Sequence, residues 1–127
     1  GKEIKFEDRQ LALDHKQQCL NQINLIFEKF DFLVLPSAQI FPFDKNLQFP
    51  KNINGKMLDT YHRWLEVFIL SSLLELPSIT IPVGFNKDGM PMGMQIVGKN
   101  KDDLKLFSFA SKYEDIFNFS KIKPNLN

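Results

Sequence analysis

The strongest constraint on the fold lies between Ser78 and Val97, where two apolar runs, Ser78 to Val83 and Met92 to Val97, flank the polar tetrad Asn86-Lys87-Asp88-Gly89. An Asp-Gly pair readily adopts the positive-φ conformations of a tight turn between right-twisted strands, so this stretch predicts a β-hairpin. Proline has no amide hydrogen to give a strand ladder, so Pro82 requires a bulge, an edge or a strand end. Gly84, Gly93 and Gly98 leave room for another group to approach the backbone closely.

Upstream, Leu13, Leu20, Ile23, Phe27 and Phe30 recur at helical spacing between about residues 2 and 30, with Asp14 to Gln18 turned to water. The continuous apolar run Phe32 to Leu35, closed by Pro36, predicts a strand buried on both faces. A helix feeding such a strand points to an α/β fold. Residues 37 to 56 lack helical period and carry Pro42, Pro50 and Gly55, which predicts a long loop. Phe41, Phe43 and Phe49 need a surface to cover, so this loop is expected to lie over something.

Met57, Tyr61, Trp64, Leu65 and Phe68 form a helical stripe, and Val67, Ile69, Leu70 and Leu74 make the other sides apolar too. A helix buried nearly all round is more than this short chain can enclose, so additional chain or another protomer is expected against it. From Asn100 onward, Asp102 and Asp103 suit a helix start, and Leu104, Phe107, Ala110, Tyr113 and Phe117 give its expected buried face. The lysine- and asparagine-rich tail after Phe119 is expected to fray.

A formal charge of +1 supplies no field to attract nucleic acid or anionic lipid, so neither is expected as a partner. Cys19 is the single cysteine, which excludes an intramolecular disulfide and fits a reducing, cytoplasmic setting. Apolar runs such as Val67 to Leu70 are too short to span a bilayer, so no membrane partner is expected.

Candidate chemistry is sparse. His15, His62 and Cys19 stand apart without ligand spacing, so neither a metal nor a cofactor is expected. Ser71-Ser72 sits in an apolar helical run without the sharp glycine-flanked turn of a nucleophile, which favours a packing role. Neither GxGxxG nor GxxxxGK occurs. Asp59 and Glu66 have no partner identified by spacing, and surface charge is their commoner use. Tyr61 and Trp64 suit either core or pocket.

The segment LPSITIPVGFNKDGMPMGMQIVG resembles the C-terminal hairpin of the amidase signature family, whose pattern is close to LPxxxxPxGFxxxGxPxGxQxxG. Leu76, Pro77, Pro82, Gly84, Phe85, Gly89, Pro91, Gly93, Gln95 and Gly98 match it. The resemblance extends through FDFLVLPSAQIFPF and MLDTYHRWLEVF to SKYE, roughly Leu25 to Glu114.

It implies the C-terminal part of an α/β/α fold with a mixed sheet, residues 1–127 being a fragment of one amidase domain whose N-terminal catalytic portion is absent. Family members hydrolyse carboxylic amides or move ammonia from them, using a lysine, a serine at a cis peptide and a nucleophilic serine. None of these three maps here, so the chain is expected to hold no catalytic residue and to be inactive alone. Its implied share is substrate binding, by Ser37, Tyr61, Trp64 and Leu65. Those family members that take ammonia from glutamine tend to carry an acidic residue about where Leu65 stands; the departure implies an apolar amide. Glu75 replaces a usual glycine. The implied partner is a small-molecule amide, with a homodimer left open. The alternative is a non-catalytic binding or scaffold protein retaining this half of the fold.

Overall fold

The computed structural model describes residues 3–123. The chain runs through α1 (Phe6–Phe27), β1 (Leu33–Pro36), a small ribbon of β2 (Asn52–Ile53) and β3 (Lys56–Met57), a 3-10 turn (Tyr61–Leu65) continuing into α2 (Glu66–Leu73), the hairpin β4 (Ser78–Phe85) and β5 (Pro91–Val97), and α3 (Asp103–Phe117). Strand β5 lies at the centre of a sheet ordered β1-β5-β4, with both pairings antiparallel.

The hairpin forms where the sequence predicts it. Gly89 takes φ +75°, and the Asn86 side-chain oxygen accepts hydrogen bonds from the amides of Asp88 and Met90, both at 2.9 Å. That side chain closes the turn as a local substitute for backbone pairing. The ladder slips between Pro82, opposite Gly93, and Gly84, opposite Met92, so Val83 is the extra residue of a bulge. Pro82 therefore meets its requirement beside a bulge, on a strand at the edge of this sheet.

Consecutive residues of a strand point to opposite faces, and Ile96 and Val97 are both fully buried. Val97 packs with Ile23, Leu74 and Leu76 against α1 and the end of α2. Ile96 packs with Ile81, Leu106 and Ala110 against α3. The sheet is thus covered by helices on both faces, an α/β/α layering in which burial of each such aliphatic side chain contributes about 1.5–3 kcal/mol.

Helix α2 ends in a Schellman motif: the Leu76 amide reaches back to the Ser71 carbonyl at 3.0 Å and the Glu75 amide to Ser72 at 3.4 Å. The motif puts the residue after the helix cap in the left-handed region, and Glu75, following Leu74, has φ +55°. Glycine takes that conformation without penalty, which is why the departure from the family pattern is felt at this corner. Lys16 on α1 holds the Glu75 carboxylate at 2.5 Å, tying the corner to the neighbouring helix.

Several expectations are corrected. Met57 belongs to β3 and is exposed, so the predicted helix from Met57 to Leu74 is only a 3-10 turn and eight α-helical residues. The cause is Asn54-Gly55, a hairpin dipeptide within the predicted loop, with φ +49° and +81°. As expected of so short a chain, that helix is left unenclosed, with Ile69 and Leu73 about half exposed. Strand β1 buries Leu33 and Leu35 only partly and exposes Val34, so it is not covered on both faces. Leu13 on α1 and Phe30 beyond its end are exposed, and Leu20, Ile23 and Phe27 make the packing face. On α3 the predicted stripe is buried only in part: Ala110 is buried and Tyr113 packs on the core as expected, but Leu104 is 82% exposed and Phe107 and Phe117 are also exposed. Packing on the hairpin adds buried Leu106 and half-buried Phe109, neither of them in that stripe. Of the predicted fraying tail, Phe119–Lys121 form a short 3-10 turn and residues 124–127 lie outside the described residues.

Candidate functional site

At the end of β1 the chain makes one further pairing with β5. The Ser37 amide donates to the Gly93 carbonyl at 2.9 Å, and the Gly93 amide donates to Ser37 Oγ at 3.1 Å. A Cβ at position 93 would stand 2.7 Å from Ser37 Oγ and 3.1 Å from the Ile81 carbonyl, so only glycine fits between the two flanking strands.

Beyond Ser37 the loop Ala38 to Phe43 borders an open cavity of about 490 Å³. Its walls are the loop and Trp64 of the 3-10 turn, and its floor is formed by Thr80, Ile81 and Pro82 of β4 with Pro91, Met92 and Gly93 of β5. No charged side chain among the described residues lines it. Such a space suits an apolar, uncharged group, with the hydroxyls of Ser37 and Thr80 as its polar points.

Trp64 is held by edge-to-face contacts with Phe43, centroids 5.6 Å apart at 88°, and with Tyr61, 6.1 Å apart at 84°. Tyr61 meets Phe49 in the same manner at 6.1 Å. Such pairs contribute about 0.5–1.5 kcal/mol beyond their buried area. This cluster is what the three loop phenylalanines foreshadowed: Phe49 is buried against Tyr61, and Phe41 and Phe43 line the cavity wall. Gln39 Nε2 donates to the Arg63 carbonyl at 2.8 Å, fastening the loop to the turn. Trp64 Nε1 is shielded from solvent and has no acceptor among the described residues.

Two further polar clusters serve structure, although Gln95 Oε1 has no hydrogen-bond partner among the described residues. Gln95, buried on the central strand, donates through Nε2 to Ser71 Oγ at 3.2 Å, and Ser71 donates to the Phe68 carbonyl at 3.3 Å. Ser71 therefore ties α2 to the sheet. Arg63 bridges Asp59 at 3.1 Å and Glu66 at 2.7 Å. Its hydrogen bond holds the Asp59 carboxyl below the usual carboxylate range, and the two acids in turn raise the guanidinium, Glu66 first. These acids belong to an exposed ion triad. Among the described residues no cluster of three or more His, Cys, Asp or Glu side chains could hold a metal ion.

Of the four residues singled out for substrate binding, Ser37 and Trp64 line one cavity, and Tyr61 stands behind Trp64 as its support. Leu65 does not join them. It lies in a separate groove of about 390 Å³ with His62, Phe68, Ile69, Ser72 and Leu73, because successive residues of the 3-10 turn point in different directions. Thr80, Met92 and Pro91 were not foreseen; the alternation of the hairpin and its bulge was the signal that could have placed them on the cavity floor.

The Amidase family model matches residues 3–107. The A subunit of glutamyl-tRNA(Gln) amidotransferase from Thermodesulfovibrio yellowstonii is 34% identical over 108 residues, covering 84% of this chain and 21% of that protein. A bacterial aryl acylamidase of the amidase signature family superposes with a TM-score of 0.82 at 24% identity, over 94% of this chain and 25% of its own. A 6-aminohexanoate cyclic dimer hydrolase gives 0.69 at 20% identity, over 97% and 27%. These structural likenesses show the fold, and the chain spans about a fifth of the length of its curated relative.

Proposed function

This chain belongs to the amidase family, and on that premise we propose that it is the carboxy-terminal part of an enzyme hydrolysing an apolar carboxylic amide. The observation that carries the reading is the cavity beside Ser37 and Trp64, which has room for a small organic group and no charged wall among the described residues. In the proposed parent, a serine attacks the amide carbonyl, a lysine acting through a serine at a cis peptide manages the protons, and backbone amides stabilise the oxyanion. All of these groups are proposed to lie outside the chain. Its own residues hold the acyl side of the substrate: Ser37 and Trp64 directly, Tyr61 by bracing Trp64, and Leu65 from the adjoining groove. On this reading no cofactor takes part, and a cytoplasmic setting fits the single exposed cysteine, Cys19. No described helix is long and apolar enough to cross a membrane.

A second reading is supported by the amidotransferase found as a relative, and would make the parent a donor of ammonia from glutamine. The two separate in one assay. The full reading frame containing this chain is purified and offered acetanilide or glutamine. Faster release of aniline than of ammonia is expected; preferential release of ammonia from glutamine would replace the first reading with the second. Release of neither would favour a non-catalytic binding protein.

A further inference from the structure

Within the cavity, Ser37 differs from the other lining residues in how its hydrogen bonds are used. Its oxygen accepts the Gly93 amide at 3.1 Å and its backbone amide is spent on the Gly93 carbonyl, yet its hydroxyl hydrogen has no acceptor among the described residues. A hydroxyl carries one donor and two acceptor sites, so accepting from Gly93 leaves the donor free while restricting where it can point. Among the described residues no base is hydrogen-bonded to Ser37, so nothing there activates it as a nucleophile. The surrounding residues are aromatic and apolar, among them Ile40, Phe41, Pro42, Phe43, Trp64 and Pro82.

We propose that this cavity binds an uncharged ligand with an aryl or branched alkyl body and a carbonyl oxygen, and that the Ser37 hydroxyl donates to that oxygen. The inference rests on the cavity being a ligand site, and adds a donor that decides which apolar molecules are retained. A charged group would be stripped of water with no partner, at heavy cost. A carbonyl loses little, because one fixed donor replaces one water. The Trp64 indole nitrogen cannot take this part, being sealed behind its own ring contacts. Gly93 is integral to the arrangement, since any side chain there would occupy the position of the Ser37 oxygen.

The chain has one tryptophan, so its fluorescence reports the cavity without labelling. The 127-residue chain is titrated with acetanilide and with isobutylbenzene, a hydrocarbon of similar shape without an acceptor. Both are expected to perturb Trp64. Ser37→Ala should weaken acetanilide about tenfold, the loss of roughly one hydrogen bond, and change isobutylbenzene less than about twofold. Equal weakening of both, or of neither, overturns the donor role while leaving the cavity as a ligand site. Failure of both ligands to bind the unaltered chain overturns the cavity reading itself.

A second readout uses no variant. The infrared stretch of ¹³C-labelled acetanilide carbonyl, bound to the unaltered chain, should lie below its frequency in hydrocarbon solvent, as for a hydrogen-bonded carbonyl. A frequency matching hydrocarbon solvent overturns the proposal even if Ser37→Ala does not fold.

Discussion

Ser37 and Gly93 clasp each other through two hydrogen bonds, 2.9 Å from the serine amide to the glycine carbonyl and 3.1 Å from the glycine amide to the serine hydroxyl oxygen. This pair fixes where the chain leaves the sheet, and so where the cavity begins. Gly93→Ala is therefore expected to destabilise the chain by about 1–3 kcal/mol, because the new methyl meets a backbone carbonyl as well as Ser37. Urea denaturation checks this; a midpoint unchanged from the native chain would contradict it.

Glu75→Gly should be neutral or stabilising, unlike most substitutions by glycine. The corner demands a left-handed residue, which costs a residue with a side chain roughly 1–2 kcal/mol. Opposing this gain, the variant loses the exposed contact with Lys16. Thermal melts should show an equal or higher midpoint, and a drop of several degrees would show that the ion pair matters more than the backbone.

The same contact predicts a pH dependence. The hydrogen bond from Lys16, aided by its charge, lowers the Glu75 carboxyl below its ordinary 4.5. A lowered carboxyl contributes stability that is fully present above its unfolded value and is lost as pH falls through the folded one. Lys16→Met should therefore reduce the loss of stability seen on acidifying below about pH 4.5. An unchanged acid limb would mean that the pair contributes nothing measurable.

Leu73→Glu probes the uncovered side of α2. Leu73 is 52% exposed, so the change should alter the stability of the 127-residue chain by less than about 0.5 kcal/mol. In the full reading frame, where the proposed remainder of the domain covers this face, it should be strongly destabilising. Equal small effects in both would leave the face solvent-exposed in the parent as well.

The hairpin was legible from sequence because local chemistry dictates it: Asp88-Gly89 sets the turn, Pro82 forces an irregularity, and alternation brings Ile96 and Val97 to opposite faces. The β2–β3 ribbon was equally local, carried by Asn54-Gly55, and was obscured by the prolines of the long irregular segment before it. The phase of α3 was not local. Leu104 and Phe107 share helical spacing with Ala110 and Tyr113, but packing on Ile81 and Ile96 favoured Leu106 and Phe109 in their place. At the site, the aromatic pattern pointed to Trp64, and the family resemblance to Ser37 beside it. Leu65 was separated from them by a 3-10 geometry that residue spacing does not reveal. The free donor of Ser37 depends on a partner 56 residues away, beyond the reach of any pattern in its own neighbourhood.

The central claim is that this chain completes a larger amidase, and the most direct measurement is the coding sequence upstream of Gly1. The account predicts an open frame encoding a glycine- and serine-rich segment preceded by a lysine, the components of the proposed acyl-transfer site. A stop codon followed closely by a start codon would contradict it, and would leave the Ser37 cavity as the binding site of a short protein without hydrolytic chemistry.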